Sequence, residues 1–167
     1  MSLLTDEIRS LEGSEVSYTA PEELGRAAIR YFATAVGDDN PLYTDGDFAR
    51  EHGYDDVIAP PTLICESNQY AGLPADEEGY AGHTWGLDLP NTRQVRGGNR
   101  YTFHQPVRPT DVITASWRIT DLTERATRDG ADMLIVASTA TYTNQHGDLL
   151  TTNEETTIFI ALPEASA

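Results

Sequence analysis

Among the proton-moving residues of this 167-residue chain, which include 27 Asp and Glu and 4 His, those between Tyr31 and Ala49 have the spacing of a fixed site. There Tyr31-Phe32 is followed by Gly37-Asp38-Asp39-Asn40-Pro41-Leu42-Tyr43 and then Asp45. An Asp at a Gly turn, with an Asn and a Pro beside it, is held at a fixed place. A fixed carboxylate within reach of a water can exchange a proton with it. The same residues also make a plain helix end: Gly stops the helix, Asp and Asn cap the turn, and Pro forbids continuation. Both readings of Asp38 stay open on spacing alone. Tyr43 divides in the same way, into hydrogen-bond donor or packed aromatic.

The other candidates are scattered. His104 stands just before Pro106 and suits a structural hydrogen bond; His83 lies in a long irregular segment that could fold over a pocket and supply an imidazole. His52 and His146 fall at turns. Arg93, Arg96, Arg100 and Arg108 could meet phosphate oxygens, which Arg binds bidentately, or pair with surface carboxylates. The acidic pairs around Asp38, Asp45 and Asp55 lack the spacing and closing Glu of a calcium loop. Cys65 has no His at ligand spacing, so no zinc site is expected.

Elements that would position these groups follow from periodicity. Residues 2–13 fit a short helix ending at Gly13. Thr19-x-x-Glu22 reads as a capping box with Pro21 in the first turn, opening a helix in which Leu24, Ala27, Ala28, Tyr31 and Ala35 recur up to Gly37. Residues 45–52 make a second short helix with Phe48 and Ala49 inward. After Pro60-Pro61, Thr62 can cap a helix over about residues 62–71, apolar on most sides and therefore central. Residues 72–92 have no period. Period-two alternation then takes over: Asn99–Phe103, Ile113–Thr120, Leu134–Tyr142 and Leu150–Ala161. Gly97-Gly98 marks a bulge or a close backbone approach. Arg128-Asp129-Gly130 and Gln145-His146-Gly147-Asp148 mark turns. Helices first, one buried helix, then a meander of at least four antiparallel strands is an α+β pattern, a curved sheet around a helix. No linker divides the chain, so one domain over 1–167 is expected, with its core at about 15–161.

Composition narrows the function classes. The net charge is −16, and all eleven basic residues are Arg. Nucleic acid and anionic membrane surfaces need clustered cations and are not expected as partners. Without lysine there is no Schiff base and no P-loop lysine. No stretch approaches the roughly 20 apolar residues of a membrane span. The acidic start lacks a signal peptide's basic region, and a single cysteine suits a reducing compartment, so a cytoplasmic protein is expected.

Three blocks resemble the MaoC-like enoyl-CoA hydratases and dehydratases, which have the hot-dog fold. They are Tyr31-Phe32 through Ala49, Gly53-Tyr54 with Val57-Ile58-Ala59-Pro60-Pro61-Thr62, and Arg96-Gly97-Gly98-Asn99-Arg100-Tyr101 through Asp111. They come in the family's order, and the likeness spans roughly residues 15–160. Its nearest branch is the N-terminal MaoC-like, or FAS1-like, dehydratase domain. The resemblance implies syn hydration of a trans-2-enoyl thioester to an (R)-3-hydroxyacyl thioester, or the reverse, with an Asp and a His activating one water. It implies backbone N–H groups at the start of the central helix as the site for the thioester carbonyl. Catalytic roles then fall on Asp38, Asn40 and the His position, Tyr43; substrate contacts fall on Pro61, Thr62, Leu63, Arg96, Gly97 and Gly98. No cofactor or metal is implied beyond coenzyme A or an acyl carrier protein as carrier of the thioester.

Two positions depart from that pattern. Tyr43 replaces the His, and a phenol with a pKa of about 10 is a poor proton exchanger near neutrality. The His-Gly pair before the central helix is Pro60-Pro61, and proline has no N–H to donate. The chain therefore resembles the substrate-accommodating half of a heteromeric dehydratase, paired with a catalytic MaoC-like chain, or forming a homodimer when alone. Two other classes fit less well: a hot-dog thioesterase using Glu66 or Asp38, and a non-catalytic acyl-CoA-binding hot dog.

Overall fold

The computed structural model describes residues 2–77 and 79–163. Five antiparallel strands form one sheet: β1 (Glu15–Thr19), β2 (Thr92–Phe103), β3 (Thr114–Ala126), β4 (Asp132–Thr143) and β5 (Leu149–Ala161), in the order β1-β3-β4-β5-β2. This is the α+β hot-dog architecture. β3, β4 and β5 form a meander because their turns carry the right residues. Thr127 N–H donates to the Ala131 carbonyl at 2.8 Å across Arg128-Asp129-Gly130, where Gly130 takes φ 84°. Such a positive φ suits glycine. β2 bulges at Gly97, between the pairs Arg96–Thr157 and Gly98–Thr156. A Cβ there would stand 2.9 Å from Thr156 Cγ2, so glycine at this position allows the close approach of β2 to β5.

Three α-helices precede the meander: α1 (Asp6–Arg9), α2 (Arg26–Val36) and α3 (Gly46–Glu51). α2 buries Ile29 and Ala33 against the sheet. Tyr31 faces outward, 67% exposed, with the Arg30 guanidinium 5.2 Å above its ring. The capping box expected at Thr19 is not used. Thr19 instead ends β1, where its Oγ1 lies 3.0 Å from Thr114 Oγ1, and α2 starts later, after Gly25. α3 is capped as the sequence indicates: Asp45 Oδ1 accepts from the N–H groups of Asp47 and Phe48.

The central segment runs against the inner face of the sheet, as expected, with Leu63, Ile64, Gln69 and Tyr70 buried. It is not one α-helix over 62–71. It winds as two 3-10 turns, Pro61–Glu66 and Asn68–Tyr70, separated by an extended Ser67. Side chains compete with the helical ladder here: Gln69 Nε2 donates to the Ile64 carbonyl at 2.9 Å, and Asn68 Nδ2 reaches back to the Glu22 carbonyl at 3.0 Å. The main core joins this segment to α2 and to Ile113, Ala115, Trp117, Ala140 and Tyr142. A smaller cluster of Ile8, Ile119, Leu122, Leu134 and Val136 fills the far end of the sheet.

Candidate functional site

The turn after α2 brings Asp38, Asn40 and Tyr43 together. Gly37 adopts the left-handed conformation, φ 72°, and the Asp38 N–H donates to the Ala33 carbonyl at 2.9 Å. That closes the helix as a Schellman turn. Asp38 Oδ1 then accepts from the Asn40 N–H at 3.2 Å, and Asn40 Oδ1 accepts from the Leu42 N–H at 3.1 Å. Asn40 thus caps the short 3-10 turn Pro41–Tyr43, which drives the Tyr43 ring inward to 8% exposure. Asp38 itself remains at the surface. The Tyr43 phenol is pushed up from its ordinary pKa, first by burial and then by the charge of Asp38, against a hydrogen bond with the Asn40 side chain. It is a donor at neutral pH and not a base.

Tyr43 lines a 250 Å³ cleft with Ile58, Ala59, Pro61, Phe103 and His104. His104 holds Thr152 Oγ1 at 3.3 Å, consistent with a structural hydrogen bond, yet it is the imidazole that shares this cleft with Tyr43. Pro61 offers no N–H to a thioester carbonyl, and the Leu63 N–H donates to the Pro60 carbonyl at 3.0 Å. Of the residues expected to polarise the carbonyl, one has no donor and another has spent its own. Thr62 lies exposed at the same turn.

Arg96, Gly97 and Gly98 do not join the Tyr43 cleft. Arg96 borders a second cavity of 770 Å³ on the inner face of the sheet, roofed by residues 74–76 and 80–87, and the two cavities share no lining residue. His83 belongs to this second cavity. Its ring stacks on Trp117 at 4.3 Å, meets Trp85 edge-on at 4.7 Å, and its Nδ1 lies 3.1 Å from Tyr18 Oη. Burial lowers its pKa to about 4, so it is neutral near pH 7. His83 therefore packs away from Tyr43 and does not replace the missing imidazole in that cleft.

Glu155 and Thr157, on the inner face of β5, complete the second cavity. Burial pushes the Glu155 carboxyl above the ordinary carboxylate range, while Arg96 and a hydrogen bond from Thr157 pull it down. Sequence reading does not single out these two. They sit in Thr151–Thr157, a run of seven polar residues without an apolar alternation to show which face is buried. The strand is marked by its Thr and Ile content, which does not say which residues face inward.

The remaining candidates are structural or superficial. Arg100 pairs with Glu154 at 3.4 Å on the surface. His52 stacks on Phe48 at 4.0 Å. Asp111 is buried and accepts from the Arg108 N–H and from Asn144 Nδ2, fixing the turn before β3. The Glu66 side chain, on which the thioesterase alternative depends, lies outside the described residues. Among the described residues, no three of His, Cys, Asp and Glu come together to hold a metal, and no helix is long and apolar enough to cross a membrane.

Known proteins share this sequence and fold. The family described as FAS1-like, dehydratase domain region, matches residues 10–153. A UPF0336 protein of Thermobifida fusca is 39% identical over 141 residues, covering 83% of this chain and 86% of that protein. A UPF0336 protein of Streptomyces coelicolor is 38% identical over 125 residues, 75% of this chain and 79% of that protein. Among solved structures, a chain of the HadBC (3R-hydroxyacyl-ACP dehydratase) complex of Mycobacterium tuberculosis aligns at TM-score 0.63 and 27% identity, over 89% of this chain and 96% of its own. The (R)-hydratase of A. caviae involved in PHA biosynthesis aligns at TM-score 0.62 and 25% identity, over 91% and 96%. The ChsH1-ChsH2 complex of M. tuberculosis, at TM-score 0.70 and 18% identity over 92% of each chain, shares the fold.

Proposed function

Because the chain belongs to the FAS1-like dehydratase family, with the hot-dog fold of the MaoC-like hydratases and dehydratases, we propose that it is one half of an (R)-specific enoyl-thioester hydratase/dehydratase. It accommodates the acyl substrate, and a MaoC-like partner chain carries the catalytic Asp and His. The observation that carries this reading is the buried Tyr43 at the position of the family's His, beside a Pro61 that cannot donate to the thioester. A phenol raised above its usual pKa keeps its proton at neutral pH and does not act as the base. Asp38 and Asn40 persist as the cap that seats Tyr43. The HadBC chain, whose name is that of a two-component dehydratase, supports a partnered arrangement.

The fold makes a second hot dog a suitable partner. β2 is an edge strand, and Phe103 at its end is 44% exposed. An unpaired edge of this length needs cover. A second hot dog supplies it, either a catalytic chain or another copy of this one. Coenzyme A or an acyl carrier protein brings the thioester.

The test is hydration of crotonyl-CoA and longer enoyl-CoAs, followed by loss of the conjugated thioester's absorbance. The purified chain is assayed alone and after co-purification with a MaoC-like chain that retains both His and Gly. The expected rate of the chain alone is about 1% or less of the mixture's, the order of magnitude set by losing a positioned general acid–base. Full-rate hydration by the chain alone, abolished by Asp38→Ala, would overturn the reading.

A further inference from the structure

β5 turns polar side chains toward the inside of the sheet. Thr151, Asn153, Glu155 and Thr157 follow one another along one face. Their cross-strand neighbours are Tyr142, Ala140, Ser138 and Val136 on β4, and Phe103, Tyr101, Asn99 and Arg96 on β2. Thr151 and Asn153 are fully buried, and Thr157 is 9% exposed. The row runs from Thr151, in the Tyr43 cleft, to Glu155 and Thr157 in the second cavity. Thr151 and Glu155 are four residues apart, about 13 Å at the rise of a strand.

The hydrogen bonding of this row is incomplete within the protein. Asn153 Nδ2 donates to Asn99 Oδ1 at 2.9 Å, but Asn153 Oδ1 and Thr151 Oγ1 are buried without a protein partner. So is His83 Nε2, on the opposite side of the second cavity. A buried polar atom left unsatisfied costs about 1–3 kcal/mol. Of the three residues, only His83 borders the second cavity; Thr151 lines the Tyr43 cleft and Asn153 lines neither.

We infer that the cavity between β5 and residues 74–76 and 80–87 binds an acyl chain carrying a hydroxyl group remote from the thioester. At 770 Å³ it has the volume of a small-molecule site, with Trp85, Trp117 and Phe159 to pack methylenes and Glu155 and Thr157 to meet the oxygen. The assignment to an acyl chain rests on the hydratase reading above. The assignment of a hydroxyl rests on the cavity itself. A plain methylene tail would take Glu155 and Thr157 out of water and return no hydrogen bond. A carboxylate tail would add a second negative charge beside Glu155. Burial biases His83 and Glu155 toward neutrality, His83 downward and Glu155 upward, which favours a neutral polar partner on this side of the cavity; Arg96 and Asp76 border it as well.

The chain has two tryptophans, and both border this cavity, so intrinsic emission reports on its occupancy. The purified chain is titrated with decanoyl-CoA, with ω-hydroxydecanoyl-CoA and with free ω-hydroxydecanoic acid, using coenzyme A alone as the absorbance control. The hydroxylated thioester is expected to bind at least about fivefold tighter than decanoyl-CoA, a little under 1 kcal/mol. Glu155→Gln keeps that preference. Glu155→Leu with Thr157→Val inverts it; should this pair fail to fold, Thr157→Val alone is expected to reduce the preference by about half. Equal affinities, a preference for decanoyl-CoA in the unaltered chain, or a preference untouched by the apolar substitutions would overturn the inference, as would unchanged emission with all three probes. Emission that responds to the free hydroxy acid and to neither thioester supports the cavity's specificity and counts against the hydratase reading.

Discussion

The inner face of the sheet is two surfaces joined along the β4–β5 seam. On β3 and β4 it presents Ala115, Trp117, Ile119, Leu134, Val136, Ala140 and Tyr142, all buried. On β5 and β2 it presents Thr151, Asn153, Glu155 and Thr157 with Asn99 and Arg96. Both halves are antiparallel strands of one sheet, so the difference is chiefly one of side chains. The apolar half supplies the free energy that holds the central segment and α2 in place. The polar half contributes little of that and keeps hydrogen-bonding groups under a roof. A hot-dog sheet can thus divide its inner surface between holding the fold and meeting a ligand.

The largest expected effect tests that division directly. Leu134 is fully buried in the smaller cluster with Ile119 and Val136. Leu134→Ala is expected to lower unfolding stability by about 2–5 kcal/mol through lost burial and the cavity left behind. Thr157→Val, diagonal to Leu134 across the β4–β5 pairing, is expected to change it by less than about 1 kcal/mol, because the shape is kept while a poorly paired hydroxyl is removed. Urea unfolding of the two variants measures both. Similar losses would show that the halves share the work of stability.

This asymmetry also explains what could be read in the sequence. The strands of the apolar half were legible, because Ile113, Ala115, Trp117, Ile119 and then Leu134, Val136, Ala140 and Tyr142 alternate. The turns were legible too, because Asp129-Gly130 and Gly147-Asp148 have the chemistry of tight turns. The bulge at Gly97-Gly98 was marked by its glycines. β1 was not legible: a five-residue edge strand turns only Val16 and Tyr18 inward, and Thr19-Pro21-Glu22 imitates a helix start. The central segment looked helical by composition, yet the side chains of Asn68 and Gln69 take backbone carbonyls and leave 3-10 turns. The placing of Asp38, Asn40 and Tyr43 in one turn followed from the motif, whereas the presence of His104 in the Tyr43 cleft depended on where β2 ends. The second cavity was hidden because a run of polar residues does not show which of them is inside.

A pH titration compares the second cavity with an ordinary surface. His83 is held neutral, its pKa lowered from 6.5 to about 4 by burial. The unfolded chain takes up a proton near pH 6.5, and the folded chain resists until about pH 4. Stability is therefore full above about pH 6.5 and falls as the pH drops toward 4, levelling below that. The loss attributable to His83 is on the order of 1–2 kcal/mol after allowance for solvent screening. His83→Phe, which keeps the stack on Trp117, is expected to flatten that limb of the pH–stability curve. An unchanged acid limb would place the proton uptake elsewhere.

The smallest expected effect has the opposite sign and comes from the other side of the same cavity. The Glu155 carboxyl is raised, chiefly by burial, so the folded chain holds its proton to a higher pH than the unfolded chain does. The stabilising contribution of such a group is complete below the unfolded value and is lost as the pH rises through the folded one. Near neutrality the charged form is the strained one, with Arg96 and Thr157 offsetting part of the strain. Glu155→Gln removes the charge and keeps the shape and the hydrogen bonding. It is expected to raise stability at pH 7 by less than about 1 kcal/mol, since the site is only partly shielded from solvent. That gain should vanish below the ordinary carboxylate range, where both chains carry a neutral side chain. Loss of stability at pH 7 in the Gln variant would mean that the attraction of Arg96 outweighs the burial, and the polar half would then hold the fold through an ion pair.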